Sequence, residues 1–289
     1  MIASLVQLLF WLIRLIPVRL AGAMGAGLGR IAYFLDARHR HIAMRNLSRI
    51  YPGKAETWKS RIGRESFAEL GRTSFELPHV YLRSKTFLLS RIEVENHQVL
   101  WQAEAHGKGV ILVAAHHSNW ELGALSLSML GHATDIIYRT IRQPKLDAFI
   151  LQARQRFGAT MQARDIGLRW IPRALKNNHC IAVMIDQHLS GGTPVPFLGH
   201  AARTTTLPAL FTNKYHTPVV GVRLDRIGKS FNFRLVFWSI PIEEHMTDEV
   251  KTMQVICGSF APAIHQRPEL WLWLHRRWLY LDEQEAANA

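Results

Sequence analysis

His116 and Glu121 lie five residues apart in His116-His117-Ser118-Asn119-Trp120-Glu121, directly after the apolar run Gly109–Ala115. A continuous run of that kind marks a strand buried on both faces. The stretch Asn119–Leu130 that follows has helical character, so the pair sits at a strand-to-helix junction. In open α/β sheets ligands bind at the carboxyl ends of strands. A loop histidine can then pair with a carboxylate in the next helix's first turn. The carboxylate fixes the imidazole tautomer and stabilises its charged form, leaving the other nitrogen to take a proton. The plainer alternative is a helix-capping carboxylate beside a surface histidine.

Other familiar chemistry is missing. The chain has no G-x-S-x-G elbow and no H-E-x-x-H zinc helix. Gly228-Lys229-Ser230 resembles the end of a P-loop, but Arg223 stands where the first glycine belongs, so it reads as a hairpin turn. Gly25-x-Gly27 fails the dinucleotide pattern at Arg30. The two cysteines, Cys180 and Cys257, provide no disulfide framework. Cys180 belongs to a core strand and reads as packing rather than as a nucleophile. A histidine base without a protein nucleophile points to direct transfer onto a substrate hydroxyl.

The surrounding elements alternate. Helix is expected over 57–90, strand over 109–115, helix over 119–130 and strand at 136–138. Helices over 145–157 and 168–176 precede a strand at 180–185. A turn-rich loop over 186–205 and a helix over 207–215 come next. Strands over 219–224 and 231–238 form a pair around a turn, and a helix over 246–265 closes the series. Strands alternating with helices imply an α/β fold with a mostly parallel central sheet flanked by helices. The 289 residues, 48% of them hydrophobic, suffice for a large core.

The N-terminus is different. Residues 2–13 are almost wholly apolar before Arg14, and Leu20–Leu35 is a second apolar segment broken by Arg30. Ala21, Gly25 and Gly29 make a small-residue face that lets helices approach closely. No basic residue precedes the first run, which disfavours a signal peptide. A spanning helix requires Arg14 or Arg19 to snorkel. A monotopic helical hairpin lying in one leaflet needs no such compromise. An ordinary buried helix is the remaining alternative. The expected division is a membrane-associating segment at 1–36 and a single α/β domain at 37–289.

Charge agrees with that division. The formal net charge is +13. Residues 1–92 carry 15 basic and 5 acidic side chains, and the rest of the chain 20 and 17. Basic residues beside Phe10, Trp11 and leucine runs fit an anionic bilayer better than nucleic acid. A non-catalytic basic membrane- or nucleic-acid-binding protein is the rival reading. Trp271, Trp273 and Trp278 read either as a core edge or as an interfacial belt.

Several further blocks carry a resemblance. Tyr138-Arg139 precedes Pro144-x-Leu146-Asp147; Arg164-Asp165-x-Gly167-Leu168-Arg169 precedes Ala174-Leu175-Lys176. Asp186-Gln187-His188, Gly191-Gly192, Val195-Pro196-Phe197-Leu198-Gly199 and Ala202-Arg203-Thr204 follow, and the chain closes with Pro268-Glu269-Leu270-Trp271-Leu272-Trp273-Leu274-His275-Arg276-Arg277-Trp278. Together with H-x-x-x-x-E this ordered series, from Asn46-Leu47 to Trp278, resembles the lipid A late acyltransferases of the glycerolipid-type acyltransferase superfamily. His188 stands where many members carry Asp, and Leu198 where Phe is frequent.

The resemblance implies a bacterial inner-membrane enzyme with its catalytic domain on the cytoplasmic side. It implies transfer of an acyl group to a hydroxyl of a lipid A precursor without an acyl-enzyme. His116 would be the general base and Glu121 its orienting carboxylate. The donor would be an acyl carrier protein thioester, or a coenzyme A thioester, with no other cofactor or metal. Partners would be acyl carrier protein, the lipid A precursor and an anionic membrane surface, not nucleic acid. Another glycolipid or phospholipid acceptor is the alternative. Asn119 is nominated as oxyanion donor. Arg139, Arg164 and Arg169 are nominated for acceptor phosphates or the carrier, against the reading of solvated or salt-bridged arginines. Asp186 and Gln187 are candidates for acceptor binding or site shaping, with a capping or loop-organising role for Asp186 as the alternative. Arg203 is a further nomination.

Overall fold

The computed structural model describes residues 2–242 and 247–287. Seven strands form one sheet in the order β1-β9-β8-β2-β5-β3-β4: β1 (Ile92–Glu95), β2 (Val110–Ala114), β3 (Thr134–Tyr138), β4 (Thr160–Ala163), β5 (Cys180–Met184), β8 (Val219–Arg226) and β9 (Phe233–Ser239). All neighbours pair in parallel except β8 with β9. The expected mostly parallel α/β sheet is therefore present. The strands β2 and β5, apolar from end to end, sit in the middle of the sheet, as residues buried on both faces must.

The helices are α1 (Ile2–Leu15), α2 (Val18–Leu35), α3 (Ala37–Ile50), α4 (Glu56–Leu82), α5 (Lys85–Leu89), α6 (His97–Ala105) and α7 (Trp120–Met129). Beyond them come α8 (Pro144–Gln155), α9 (Ile171–Lys176), α10 (Leu207–Tyr215), α11 (Glu249–Gly258), α12 (Ala261–Gln266) and α13 (Leu279–Ala287). The helix expected over 57–90 ends at Leu82, and Ser84 caps the short α5 by accepting from Phe87 N–H. The helix expected over 168–176 is confined to α9, because residues 164–166 form a 3-10 turn and Gly167 takes a φ of 80°. The closing helix is divided into α11 and α12; its expected start, Met246, lies outside the described residues.

The segment expected as a loop over 186–205 contains a hairpin, β6 (Thr193–Phe197) with β7 (His200–Thr204). Pro194 and Pro196 disguised it, yet proline is tolerated in edge strands of this kind. Leu198 and Gly199, with φ of 49° and 81°, make the two-residue turn. Gly228-Lys229-Ser230 does lie in the turn between β8 and β9, with Gly228 at φ 61°.

The small-residue face of α2 is turned inward onto α4. A Cβ added to Gly25 would lie 2.3 Å from the Gly71 carbonyl oxygen, and one on Gly29 2.2 Å from that of Phe67. Glycine is thus required for the two backbones to approach. Arg30 pairs with Glu65 of α4 at 2.7 Å, so its charge does not face an apolar medium alone. The opposite face remains bare: Leu20, Met24, Leu28, Ile31, Phe34 and Leu35 of α2 are exposed, as are Leu8, Trp11, Leu12 and Leu15 of α1. Among the described residues no helix is long and apolar enough to cross a membrane. At about 1.5 Å per residue, α1 extends only about 21 Å.

Candidate active site

The register of β2 on β5 builds the site. Ala114 is level with Met184, so the residues just beyond each strand, His116 and Asp186, come side by side. Asp186 Oδ2 accepts from the His116 main-chain N–H at 2.7 Å, and Oδ1 lies 2.8 Å from His116 Nδ1. The indole Nε1–H of Trp271 donates to Oδ2 at 2.8 Å. Burial alone would raise the Asp186 pKa, but the His116 ring, the main-chain N–H and the Trp271 indole outweigh it and hold the carboxyl at about 2. An ionised carboxylate only accepts, so Nδ1 carries the hydrogen and Nε2 presents its lone pair. Gln187 Nε2 lies 3.2 Å from that lone pair, as an amide donor.

Glu121, expected as the partner of His116, is engaged elsewhere. Its carboxylate takes a fork from Arg154, Nε to Oε2 at 2.9 Å and Nη2 to Oε1 at 2.5 Å, and Tyr81 Oη donates to Oε2 at 2.7 Å. Burial opposes its ionisation, but the Arg154 guanidinium, the Tyr81 hydroxyl and the His116 ring hold its pKa below the ordinary carboxylate value. The fork matches the planar carboxylate geometrically. Glu121 therefore fixes Arg154 in the wall of the site, while Asp186 fixes the histidine tautomer.

Asn119 is also corrected. It is fully buried, its Oδ1 caps α7 by accepting from Leu122 N–H, and its Nδ2 donates to Glu76 at 2.9 Å. It lines neither of the cavities at His116 where an oxyanion would form. Glu76 in turn receives Arg226, which also reaches Glu69, and Glu69 accepts from Ser118 Oγ. This buried network braces the turn from His116 to Asn119, where Ser118 takes the left-handed φ of 52°.

The C-terminal block closes the turn from the other side. Ser118 N–H donates to the Leu270 carbonyl at 2.8 Å, and Leu272 N–H to the His116 carbonyl at 3.1 Å. Trp271, Trp273 and Trp278 are fully buried and form core rather than an interfacial belt. Arg277, buried beneath, donates to the Gln187 carbonyl at 3.0 Å and to the Arg203 carbonyl at 2.8 Å. His275 Nε2 accepts from His188 N–H at 2.7 Å. Burial, with nearby His116 and Arg277, pushes its pKa down to about 4.

Two cavities meet at His116, Trp120 and Gln187. One, of about 240 Å³, runs between α7 and β3 and is lined by Arg139, Arg154, Leu125, Ile137, Met161 and Met184. The other, of about 630 Å³, is an open groove between α2, α4 and the C-terminal block, lined by Leu28, Ala32, Phe67, Leu70, Leu272 and Leu274. Leu28 also belongs to the bare face of α2, so groove and exposed apolar surface are continuous. A base whose lone pair points between two pockets can deprotonate a group delivered by one toward an electrophile held in the other.

Of the nominated arginines, Arg139 lines one of the two cavities at His116 and the other three line neither. Arg164 and Arg169 are exposed after β4, and Arg203 stacks on Tyr280 at 5.1 Å from the ring centre. Tyr81 and Arg154 are site residues that no local motif marks, and Trp271, though part of the C-terminal block, is expected in a core edge or belt rather than at His116. Cys180 is fully buried, with its pKa raised by burial and by Glu104, in keeping with packing. Among the described residues no cluster of metal-ligating side chains occurs.

The bacterial lipid A biosynthesis acyltransferase family model matches residues 1–280. A lipid A biosynthesis acyltransferase of Haemophilus influenzae is 28% identical over 158 residues, 55% of this chain and 50% of the relative. The chain thus spans half the length of that relative. The lipid A biosynthesis palmitoleoyltransferase of Escherichia coli K12 is 24% identical over 92% of this chain and 87% of its own. A phosphatidylinositol mannoside acyltransferase of Mycolicibacterium smegmatis is 24% identical over 95% and 91%. The resemblance in the ordered motifs is thereby upheld, the rival reading as a non-catalytic basic protein falls, and the chain belongs to the bacterial lipid A biosynthesis acyltransferase family, an O-acyltransferase.

Proposed function

We propose that the enzyme moves a fatty acyl group from an acyl carrier protein thioester to a hydroxyl of a lipid A precursor at the bilayer surface, with His116 as general base. The carrying observation is the His116–Asp186 pair, whose Nε2, facing the Gln187 amide, lies where the two cavities meet. The acceptor hydroxyl displaces the Gln187 amide from Nε2 and gives up its proton there. Its oxygen attacks the thioester carbonyl, forming a tetrahedral oxyanion. The C–S bond then breaks, and the proton on Nε2 passes to the departing thiolate. No acyl-enzyme is required.

Asp186 positions the imidazole and stabilises its cationic form. Arg154, held by Glu121, and Arg139 supply positive charge where the oxyanion develops, with the Gln187 amide as a further donor. Arg164 and Arg169, exposed near the same edge of the sheet, suit an acidic carrier. The groove along α2 suits the hydrocarbon of a lipid acceptor, because it opens directly onto the bare apolar face of α1 and α2. That face is the support for monotopic attachment to the inner membrane.

The test is product mass. Purified protein receives acyl carrier protein thioester and lipid A precursor, and one added acyl group per acceptor is expected, absent with His116→Ala. Acylation of a phosphatidylinositol mannoside instead, the acceptor named for the mycobacterial relative, would move the assignment to that glycolipid.

A further inference from the structure

The end of α4 holds a group of cationic side chains to which the acyl-transfer geometry gives no task. Arg83 Nη2 donates to the Arg14 carbonyl at 3.3 Å, and Arg156 donates to the carbonyls of Tyr81 and Arg83. Arg83 and Arg91 both lie over the Phe87 ring, 5.4 and 5.2 Å from its centre. Arg83 and Arg156 thus meet at the end of α4, with Arg91 on the shared Phe87 ring and Arg14 on the α1 turn that Arg83 contacts. Among the described residues none of them pairs with a carboxylate, and the Nε of each is buried without a hydrogen-bond partner. Arg30, Arg154 and Arg226, by contrast, are matched with Glu65, with Glu121, and with Glu69 and Glu76, and the buried Arg277 is held by two main-chain carbonyls and the Thr204 hydroxyl.

His79, on the same end of α4, is fully exposed to this charge and shielded from water. Its side chain is buried against the Ile13 main chain, and neither ring nitrogen makes a well-formed hydrogen bond. Burial and the charges of Arg83 and Arg14 push its pKa down to about 4. For Arg156 burial lowers the pKa with no carboxylate opposing it. The local field is therefore positive and uncompensated by the protein. Unpaired buried cations are costly, and an external anion would relieve the cost.

The neighbours identify the anion. Arg14 lies 5.5 Å from the centre of the Trp11 ring, and Leu12 and Leu15 beside it are exposed, Leu15 by 75%. A tryptophan with an arginine at the edge of a bare apolar surface is the composition found at headgroup level. We infer that Arg14, Arg83, Arg91 and Arg156 form a binding site for the phosphate of an anionic lipid headgroup, which fixes the depth and tilt of α1 on the bilayer. The inference rests on the proposed attachment through the α1–α2 face, and it deepens that proposal. Arg forks suit phosphate oxygens bidentately, which a diffuse basic surface does not require.

The full-length protein is to be sedimented with vesicles of phosphatidylcholine alone and with one part in five of phosphatidylglycerol. Each arginine lost should reduce the anionic preference about fivefold. Arg83→Gln with Arg156→Gln should therefore lose most of that preference, yet bind phosphatidylcholine vesicles as the parent does. Since both side chains also hold main-chain carbonyls, Arg14→Gln with Arg91→Gln gives a second variant pair with the same expected loss. Lys108→Gln with Lys176→Gln, on exposed positions before β2 and β5, removes equal charge and should change little. A free-phosphate site is distinguished by adding inorganic phosphate against chloride at matched ionic strength; a headgroup site is indifferent to the exchange. Undiminished preference in both arginine pairs, an equal loss in the lysine pair, or displacement by inorganic phosphate would overturn the inference. Failure of the parent to bind neutral vesicles would instead sink the apolar attachment, and leaves the anionic comparison readable.

Discussion

His116 and Asp186 are 70 residues apart in sequence and share two hydrogen bonds, one through the imidazole and one through the main chain. The second contact matters as much as the first. A carboxylate bound to the backbone of the residue it serves cannot drift away from the ring, so tautomer and position are set together. The Trp271 indole completes the cage.

That relationship gives the first prediction. His116→Ala should abolish acyl transfer, whereas Asp186→Asn should lower kcat by roughly 10²- to 10⁴-fold with a small change in KM, because an amide can hold the wrong tautomer. Steady-state kinetics with the acyl thioester and acceptor measure both. Near-parental kcat in Asp186→Asn would exclude the carboxylate from the mechanism.

The same carboxylate has a pH signature in stability. Its folded pKa, about 2, is below the ordinary aspartate value of 3.8, so its ionised form stabilises the fold above the unfolded pKa. That contribution should be lost as pH falls from about 4 to about 2, and is on the order of 2 kcal/mol. Urea unfolding of the parent and of Asp186→Asn should differ by a constant amount above about pH 5, and the difference should shrink to near zero only below about pH 2. A gap that persists at low pH would place the effect in packing instead.

Glu121 and Arg154 should behave as one unit. Glu121→Ala leaves a buried guanidinium unpaired, and Arg154→Ala leaves a buried carboxylate, so either change should strongly depress transfer. The double variant should be little worse than the singles, with a coupling of about 0.5–3 kcal/mol in the activation free energy. Combining Glu121→Ala with Asp186→Asn should be closer to additive. Strong coupling of Glu121 to Asp186 instead would restore the direct Glu121–His116 partnership that the motif suggested.

The spacing H-x-x-x-x-E pairs His116 with Glu121, whereas the structure sets Asp186 against the imidazole, for a physical reason. Continuous apolar runs announce β2 and β5, and Asp186 and Gln187 follow β5 as His116 follows β2. Their contact depends on Ala114 lying level with Met184, a register decided across the sheet and invisible in either segment alone. Tyr81, Arg154 and Trp271 reach the site from separate helices and from the C-terminal block. No local period could have selected them. The short edge strands β1 and β4 escaped because half-polar runs of four residues have no distinctive pattern. The glycines of α2 were legible as a close-packing face, but their partner, Gly71 of α4, is set by tertiary structure.

That close packing is itself testable. Gly29→Val would drive its Cβ to within 2.2 Å of the Phe67 carbonyl, so α2 and α4 must separate. A loss of about 1–3 kcal/mol or more is expected by chemical denaturation. Gly27→Ala meets nothing within 4 Å, and replacing a helical glycine there should be neutral or stabilising by up to about 1 kcal/mol. Equal effects at the two sites would mean that α2 is not seated on α4 through its glycines.

The bare face of α1 and α2 gives the last prediction. Leu8, Leu12, Leu28 and Ile31 are all exposed. Transferring each into hydrocarbon is worth about 1.5–3 kcal/mol when burial is complete. Replacing Leu12 and Ile31 by Asp removes two such contributions and adds two charges opposed to an anionic surface. The variant should partition from the membrane pellet into the soluble fraction at high salt, where electrostatic attraction is screened. The core beneath is untouched, so its melting temperature in detergent should stay within a few degrees of the parent. Its turnover on acceptor dispersed in detergent should also be preserved, because neither residue lines the cavities at His116. Turnover on acceptor embedded in vesicles should fall sharply, since the groove along α2 would no longer open onto the bilayer. A variant that stays in the pellet at high salt would show that another surface holds the enzyme on the membrane.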